Sequence, residues 1–119
     1  MVDDRLRVEV RKSEGHDQVL IACTGPITSG TLFPLRDAIR ETIAKTVILD
    51  LGEVPHMDSA GLGSLVQAHI SYQRAGRRLI LAAPNERTLA LLQMTNVQAL
   101  FPIFKTAREA EISIARSIQ

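Results

Sequence analysis

The pattern of apolar and polar positions predicts strands that alternate with helices. Apolar and charged residues alternate over 6–11, which indicates a strand with one buried face. A turn-rich segment follows, and the apolar run over 19–23 is the expected hairpin partner. Continuous apolar runs over 47–51 and 79–82 predict strands covered on both faces, and a short last strand is expected over 103–104.

Four other segments carry apolar residues at helical spacing. The first helix is expected to begin after an N-cap at Thr31, with Pro34 in the first turn, where a missing N–H costs little. The second is expected to begin at Asp58 or Ser59 and to stop at Gly76. The predicted buried stripes of the four helices are Leu32, Leu35, Ile39 and Ile43; Leu62, Leu65, Val66, His69, Ile70 and Gln73; Leu89, Leu92 and Met94; and Ala107, Ala110, Ile114 and Ile118.

The last two helices have clear boundaries. Pro84 and Asn85 begin the third, and Asn96 is expected to end it in a left-handed conformation. Thr106 and Glu109 have the spacing of a capping box at the start of the fourth. The order β-β-α-β-α-β-α-β-α predicts one α/β domain over 1–119. Its sheet is expected to be mixed and mostly parallel, with an N-terminal antiparallel hairpin and about four helices.

The composition of the chain mainly excludes classes of protein and of partner. The 119 residues are 45% apolar and only 3% aromatic, which favours one globular core of aliphatic side chains. A net charge of +1 gives no reason to expect a nucleic-acid partner. We find no signal peptide, and no apolar run reaches the roughly 20 residues of a membrane helix. Together with the single cysteine, Cys23, this leads us to expect a cytoplasmic protein.

The segment 55–63, with the sequence PHMDSAGLG, is the candidate functional loop. It follows a buried strand, and loops at the carboxyl ends of strands often carry function in α/β sheets. Ser59 is expected at the first helical position with an exposed hydroxyl, and Gly61 and Gly63 are expected to leave the surface beside it bare. A phosphate on Ser59 would lie at the positive end of a helix. Asp58 before Ser59 is also an ordinary N-cap, so residue chemistry alone leaves a structural and a functional reading open.

Other signals in the chain are weaker. His56, Asp58 and Ser59 suggest a hydrolase, but Met57 stands where a nucleophile elbow requires glycine. Val66 stands at the third glycine position of a dinucleotide fingerprint. We therefore expect no enzyme, no cofactor and no metal site. The remaining chemistry-bearing residues are expected to be structural: His69 in the packed core or at its boundary, and Cys23 in a buried strand. Arg74, Arg77 and Arg78 are expected at a solvated helix end, with a partner contact as the alternative.

The stretch 47–63, VILDLGEVPHMDSAGLG, resembles the signature of the STAS domain, and in particular that of bacterial anti-sigma factor antagonists. In that family an apolar strand leads into an Asp-Ser-(Ser/Ala)-Gly-(Leu/Ile)-Gly loop. The similarity extends over nearly the whole chain, through Thr24-Gly25, the strand at 79–81 and the Leu, Asn and Phe pattern over 91–103. It implies a single STAS-type domain.

The resemblance also implies a phospho-switch in sigma factor regulation. Unphosphorylated antagonists bind an anti-sigma factor, often a serine kinase of the histidine-kinase-like ATPase fold, and the sigma factor is released. Phosphorylation of the serine after the Asp, here Ser59, breaks the complex, and a serine phosphatase resets it. The implied protein is a monomer or dimer with no cofactor, no direct nucleic-acid contact and no membrane insertion. Its implied partner-binding residues are His56, Met57, Asp58, Ser59, Ala60, Gly61, Leu62, Gly63 and Thr28.

Two positions depart from the family pattern. Thr28 stands where the family commonly has an acid near the switch serine, which bears on recognition by the kinase. Asn96 replaces a common glycine, and asparagine also tolerates positive φ. Two other roles of STAS proteins stay open: the scaffold of a stress-signalling assembly, and the regulatory subunit of a lipid-transport ABC complex.

Overall fold

A five-stranded mixed sheet carries four α-helices in the computed structural model, which describes residues 4–13 and 15–117. Across the sheet the strands keep their order in the sequence. The first two pair antiparallel and all later neighbours pair parallel, which confirms the predicted fold class. The strands are β1 (Arg7–Lys12), β2 (Gln18–Thr24), β3 (Thr46–Glu53), β4 (Arg78–Ala82) and β5 (Ile103–Phe104).

The helices cover both faces of the sheet. They are α1 (Phe33–Glu41), α2 (Ser59–Arg74), α3 (Glu86–Met94) and α4 (Ala107–Ser117), with a short 3-10 helix at Gln98–Leu100. Alternate residues of the central strand serve two cores: Val47 and Leu49 of β3 pack with residues of α1, α2 and α3, whereas Ile48 packs with residues of α4. All three are fully buried, which explains the continuous apolar run. Among the described residues no helix has the length and apolarity needed to cross a membrane.

The predicted helix boundaries are mostly correct. Asn85 caps α3 by accepting the N–H of Thr88 at 2.9 Å, and Asn96 follows that helix with φ of 64°. Gly76 follows α2 with φ of 71°. Thr106 accepts the N–H of Glu109 at 3.0 Å before α4. These bonds confirm local start and stop signals that were visible in the sequence.

The start of α1 differs from the prediction. Its N-cap position is Leu32, and Pro34 lies in the first turn as expected. The Thr31 hydroxyl donates instead to the carbonyl of Pro26 at 2.7 Å and accepts the N–H of Thr28 at 2.9 Å. Thr31 therefore closes the turn before the helix and does not cap it.

Two predicted apolar stripes are partly wrong at their ends. Because α1 ends at Glu41, Ile43 lies beyond the helix and is 89% exposed. At the end of α3, Met94 is 84% exposed. In α4, by contrast, Ala110 and Ile114 are buried as predicted, and Ala107 packs against the same cluster. The last predicted member of that stripe, Ile118, lies outside the described residues.

The stripe of α2 is rotated from the prediction. Leu62 and Leu65 are buried, but Ile70 is 44% exposed and Gln73 is exposed. Tyr72 is buried instead, and its hydroxyl donates to the carbonyl of Ile39 at 3.1 Å. The phenolic oxygen thus has a partner in α1, which allows the ring to enter the core.

The histidine, cysteine and arginine predictions have different outcomes. His69 is half-buried against Phe101, with ring centroids 5.3 Å apart, as expected for the core boundary. Cys23 is buried as predicted. Arg74 and Arg78 are exposed, but Arg77 is half-buried and donates to two backbone carbonyls, so it is not part of a solvated helix end.

Candidate functional site

The loop before α2 is joined to the loop before α1 by backbone hydrogen bonds. The N–H of Ile27 donates to the carbonyl of His56 at 3.1 Å, and the N–H of Asp58 donates to the carbonyl of Ile27 at 3.2 Å. Ile27 and Met57 therefore form an isolated parallel bridge. Because β2 and β3 are parallel neighbours, both loops leave the same edge of the sheet and form one surface.

Asp58 connects the two loops through its side chain. One carboxylate oxygen, Oδ1, accepts the N–H of Gly61 at 2.9 Å and caps α2. The other, Oδ2, accepts the N–H of Ser29 at 3.2 Å. The hydrogen bond from Gly61 lowers the pKa of this carboxyl below its ordinary value, with a smaller contribution from Ser29. Asp58 is therefore an anion held in place by two loops.

Ser59 is the first residue of α2 and is exposed, as predicted. It lies at the positive end of the helix dipole, where an added anion is tolerated. Across the joined loops, Ser29 and Gly30 are also exposed. Thr28 is half-buried, and its hydroxyl lies 3.1 Å from that of Thr31, within its own turn.

The two glycines of the loop have different surroundings. A Cβ added to Gly61 would lie 2.8 Å from Cγ of Met57 and against the carbonyl oxygen of Ile27. Gly61 is buried and permits the close approach of the two loops, so the expectation of a bare surface there is wrong. Gly63 is exposed, and a Cβ added to it would meet nothing within 4 Å. The bare surface expected beside Ser59 is therefore present at Gly63 only.

The structure brings the predicted partner-binding residues together, but at different depths. Ser59 and Gly63 are exposed, and they are the residues that another protein can reach most directly. The half-buried members are His56, Asp58, Ala60 and Thr28, and the buried members are Met57, Gly61 and Leu62. Ser29 and Gly30 were not among the predicted site residues, because their place beside the candidate loop depends on the parallel pairing of β2 with β3, which the sequence patterns did not specify.

The side chains of the candidate loop are not arranged as a catalytic triad among the described residues. Both oxygens of Asp58 accept backbone N–H groups, so this carboxylate does not orient His56 as a base. Among the described residues, no hydrogen bond joins the side chains of His56, Asp58 and Ser59. Residues 4–13 and 15–117 contain no cluster of three or more possible metal ligands.

Comparison with known proteins defines the class of this domain. The family model of the STAS domain matches residues 7–110, and the chain therefore belongs to the STAS domain family. A protein of Thermotoga neapolitana, named as a candidate anti-sigma factor antagonist, is 34% identical over 64 residues, which are 54% of this chain and 57% of that protein. The chain thus matches little more than half the length of this relative.

Solved structures confirm the fold. An anti-sigma factor antagonist from Mycobacterium paratuberculosis has a TM-score of 0.81 and 21% identity, and the match covers 97% of each chain. The anti-sigma factor antagonist SpoIIAA in its unphosphorylated form has a TM-score of 0.72 and 22% identity, covering 96% of this chain and 98% of that one. The phosphorylated form of SpoIIAA, a Bacillus cell fate determinant, has a TM-score of 0.69 and 19% identity, covering 91% and 99% of the two chains.

Proposed function

We propose that this protein is a cytoplasmic anti-sigma factor antagonist. In its unphosphorylated form it binds an anti-sigma factor through the joined loops and the first turn of α2, and a sigma factor is thereby released. The observation that carries this proposal is the position of Ser59, exposed as the first residue of α2 and next to the anchored Asp58. The names of the similar proteins support the same role.

The proposed switch is phosphorylation of Ser59 by the anti-sigma factor itself, acting as a serine kinase of the histidine-kinase-like ATPase fold. A serine phosphatase reverses the reaction. A phosphate adds roughly −1.5 to −2 charges, and it would stand beside the carboxylate of Asp58. Because that carboxyl has a lowered pKa, it is already ionised at neutral pH, so phosphorylation concentrates negative charge at one exposed point.

The bonds between the loops indicate how the charge acts. Ile27, Met57 and Asp58 join the loops through the backbone, and the helix end accommodates an anion. We therefore expect phosphorylation to leave the fold unchanged and to act by repulsion at the contact surface. Met57, Gly61 and Leu62 are buried and contribute by shaping that surface.

Thr28 replaces an acid that is common in the family. Its hydroxyl is engaged with that of Thr31, so it offers a partner a neutral, half-buried group. In this protein we propose that the kinase recognises the acidic group of Asp58 next to the target hydroxyl. Asp58 is suited to this role because its two hydrogen bonds fix the carboxylate relative to Ser59.

The test compares Ser59→Ala and Ser59→Asp with a matched control, Ser113→Asp, on the exposed surface of α4. Circular dichroism of all three should match the unsubstituted protein. Titration calorimetry with the anti-sigma factor should show that Ser59→Asp binds at least about tenfold more weakly than Ser59→Ala, whereas Ser113→Asp binds normally. Mass spectrometry after incubation with the anti-sigma factor and ATP should place one phosphate on Ser59. Equal affinity of the two Ser59 variants, with no phosphate on Ser59, would contradict the proposal.

A further inference from the structure

A groove between α1 and α2 has a strongly basic lining. Its volume is about 350 Å³, and three arginines line it, Arg36, Arg40 and Arg77. The guanidinium carbon of Arg36 lies 5.7 Å from the ring centroid of Phe33, at the first turn of α1. Among the described residues, no carboxylate lines the groove. Ser64, Gln67 and Ser71 add polar groups along the α2 side. The groove therefore presents positive charge and hydrogen-bond donors to solvent.

The charges of α1 are segregated between its two sides. Arg36 and Arg40 are four residues apart and line the groove toward α2. Asp37 and Glu41 have the same spacing but line the opposite side, toward β1. A like-charge pair at this spacing slightly destabilises a helix, so an anion bound beside Arg36 and Arg40 would relieve their repulsion. Both side chains of the Arg40–Asp37 ion pair are exposed, and an exposed ion pair is weak, so Arg40 can exchange this partner for another carboxylate.

Arg77 is fixed at the groove before any ligand arrives. Its Nε donates to the carbonyl of Ala44 at 2.9 Å and its Nη2 donates to that of Thr42 at 2.6 Å. Its guanidinium carbon lies 3.9 Å from the ring centroid of Tyr72. A guanidinium carries about five N–H donors, so donors remain after these bonds. A charge that is already oriented binds a partner with less loss of conformational entropy.

We infer that this groove binds an acidic segment of a partner protein, with carboxylate side chains paired to Arg36, Arg40 and Arg77. Guanidinium groups match carboxylates in geometry and form strong charge-assisted hydrogen bonds. Ser64, Gln67 and Ser71 form one row along α2, which spans about 10 Å at the helical rise per residue. That length suits an extended segment better than a single small anion.

The groove begins close to Ser59 along α2. Ser64 lies five residues further along α2, which is about 7.5 Å along the helix axis. Five residues also rotate by about 140° around the helix, so a phosphate on Ser59 would lie at least about one Debye length, 8 Å, from an acidic segment in the groove and would repel it weakly at physiological ionic strength. Only this consequence rests on the proposed switch, because the binding of an acidic segment involves neither the kinase nor the phosphate.

The test is an NMR titration of the unmodified, isotope-labelled protein with a capped hexaglutamate peptide, and with hexaglutamine as the uncharged probe. Hexaglutamate should shift the amide signals of Arg36, Arg40, Ser64, Gln67 and Ser71 in a saturable way, and hexaglutamine should not. The double variant Arg36→Gln/Arg40→Gln should raise the Kd at least about tenfold. The control double variant Arg74→Gln/Arg87→Gln removes the same charge outside the groove and should stay within about twofold of the original Kd.

Three results would overturn the inference. The first is the absence of hexaglutamate shifts in the groove, and the second is an equal loss of affinity in the control variant. The third is inorganic phosphate saturating the same amides as tightly as hexaglutamate, which would identify a small-anion site instead. Thermal unfolding of Arg36→Gln/Arg40→Gln should show a Tm close to that of the original protein, because removal of the like-charge pair offsets loss of the exposed Arg40–Asp37 ion pair. Failure of these titrations leaves the Ser59 switch standing, and failure of the Ser59 test leaves the titrations unaffected.

Discussion

The carboxylate of Asp58 accepts a hydrogen bond at 3.2 Å from the backbone N–H of Ser29, which lies 29 residues earlier in the chain. Its other oxygen accepts the N–H of Gly61 at 2.9 Å. One side chain thus caps α2 and holds the loop before α1. Because Ser59 is the next residue, the position of its hydroxyl depends on these bonds. The structural and functional readings of the Asp-Ser pair are therefore compatible.

Removal of the Asp58 carboxylate should destabilise the domain. We expect Asp58→Ala to lower the free energy of unfolding by about 1 kcal/mol, since α2 loses its N-cap. Asp58→Asn keeps an oxygen acceptor and should lose less. Chemical denaturation measures both changes, and Asp37→Ala, which removes an exposed carboxylate of α1, is the control with an expected change within about 0.5 kcal/mol. An equal effect of Asp58→Ala and Asp37→Ala would show that the cap contributes nothing.

The contribution of Asp58 should depend on pH. Its pKa in the folded protein is lowered from the ordinary value of 3.8, because backbone N–H groups donate to the carboxylate. The unfolded chain therefore takes up this proton more readily. The stabilisation is present above the ordinary pKa and is lost as the pH falls through the folded pKa. We expect the stability difference between the original protein and Asp58→Asn to shrink between neutral pH and about pH 2 in denaturation experiments. A stability difference between the two proteins that stays constant over this pH range would contradict the prediction.

Much of the fold can be predicted because its causes are local. The continuous apolar runs of β3 and β4 indicate two-sided burial, which is how these strands pack. The alternation in β1 correctly indicates a strand but overstates its burial, because Val8 is half-buried and Val10 is 52% exposed. Asn85 and Asn96 carry helix start and stop signals within a few residues of themselves. The order of elements follows from these patterns with the rule for crossovers.

The differences between the predicted and the observed structure arise from contacts between residues distant in the sequence or from alternative local hydrogen bonds. Thr31 can bond the turn before it or the helix after it, and the local pattern is the same in both cases. Tyr72 enters the core because the carbonyl of Ile39, on another helix, accepts its hydroxyl. Gly61 and Gly63 look equivalent in the sequence, but only Gly61 meets the other loop. The position of the candidate loop was predictable, whereas the depth of each residue in it was not.

The central packing should be sensitive to truncation. Leu49 in β3 and Leu65 in α2 are both 0% exposed. Either residue changed to Ala should lower the free energy of unfolding by about 2–5 kcal/mol, because a cavity remains. Ile43→Ala is the control, since this residue is 89% exposed and should change stability by no more than about 0.5 kcal/mol. Denaturant titration that finds losses under about 1 kcal/mol for both leucines contradicts the described core.

The thiol of Cys23 should be inert in the folded protein. Burial raises its pKa to about 12, with a smaller contribution from the negative charge of Asp50. Because the thiolate is the reactive form, iodoacetamide at about pH 8 should label the native protein slowly and the urea-unfolded protein rapidly. The double variant Cys23→Ser/Ile43→Cys moves the thiol to an exposed position and should be labelled at once when native. If the original protein and this double variant are labelled at equal rates in the native state, the result argues against the burial of Cys23.

The two glycines at the start of α2 offer a matched pair of substitutions. Gly61→Ala should lower the free energy of unfolding by about 1–3 kcal/mol, because the added methyl group meets Met57 and the carbonyl of Ile27. Gly63→Ala should raise it by up to about 1 kcal/mol, because alanine is the better helix former and its methyl group meets nothing within 4 Å. Urea denaturation of both variants measures these opposite changes.

The substitution Gly63→Ala should weaken partner binding although it stabilises the domain. If the anti-sigma factor contacts the first turn of α2, a methyl group at this exposed position stands between the two proteins. Gly63→Ala should then bind the partner at least about fivefold more weakly in titration calorimetry, although the domain itself is more stable. Ala90, exposed on α3, provides the control through Ala90→Gly, which should lower stability by about 1 kcal/mol and leave affinity unchanged. A Gly63→Ala variant that is more stable and binds as tightly as the original would place the contact surface elsewhere, because a methyl group at a close-packed contact cannot be neutral.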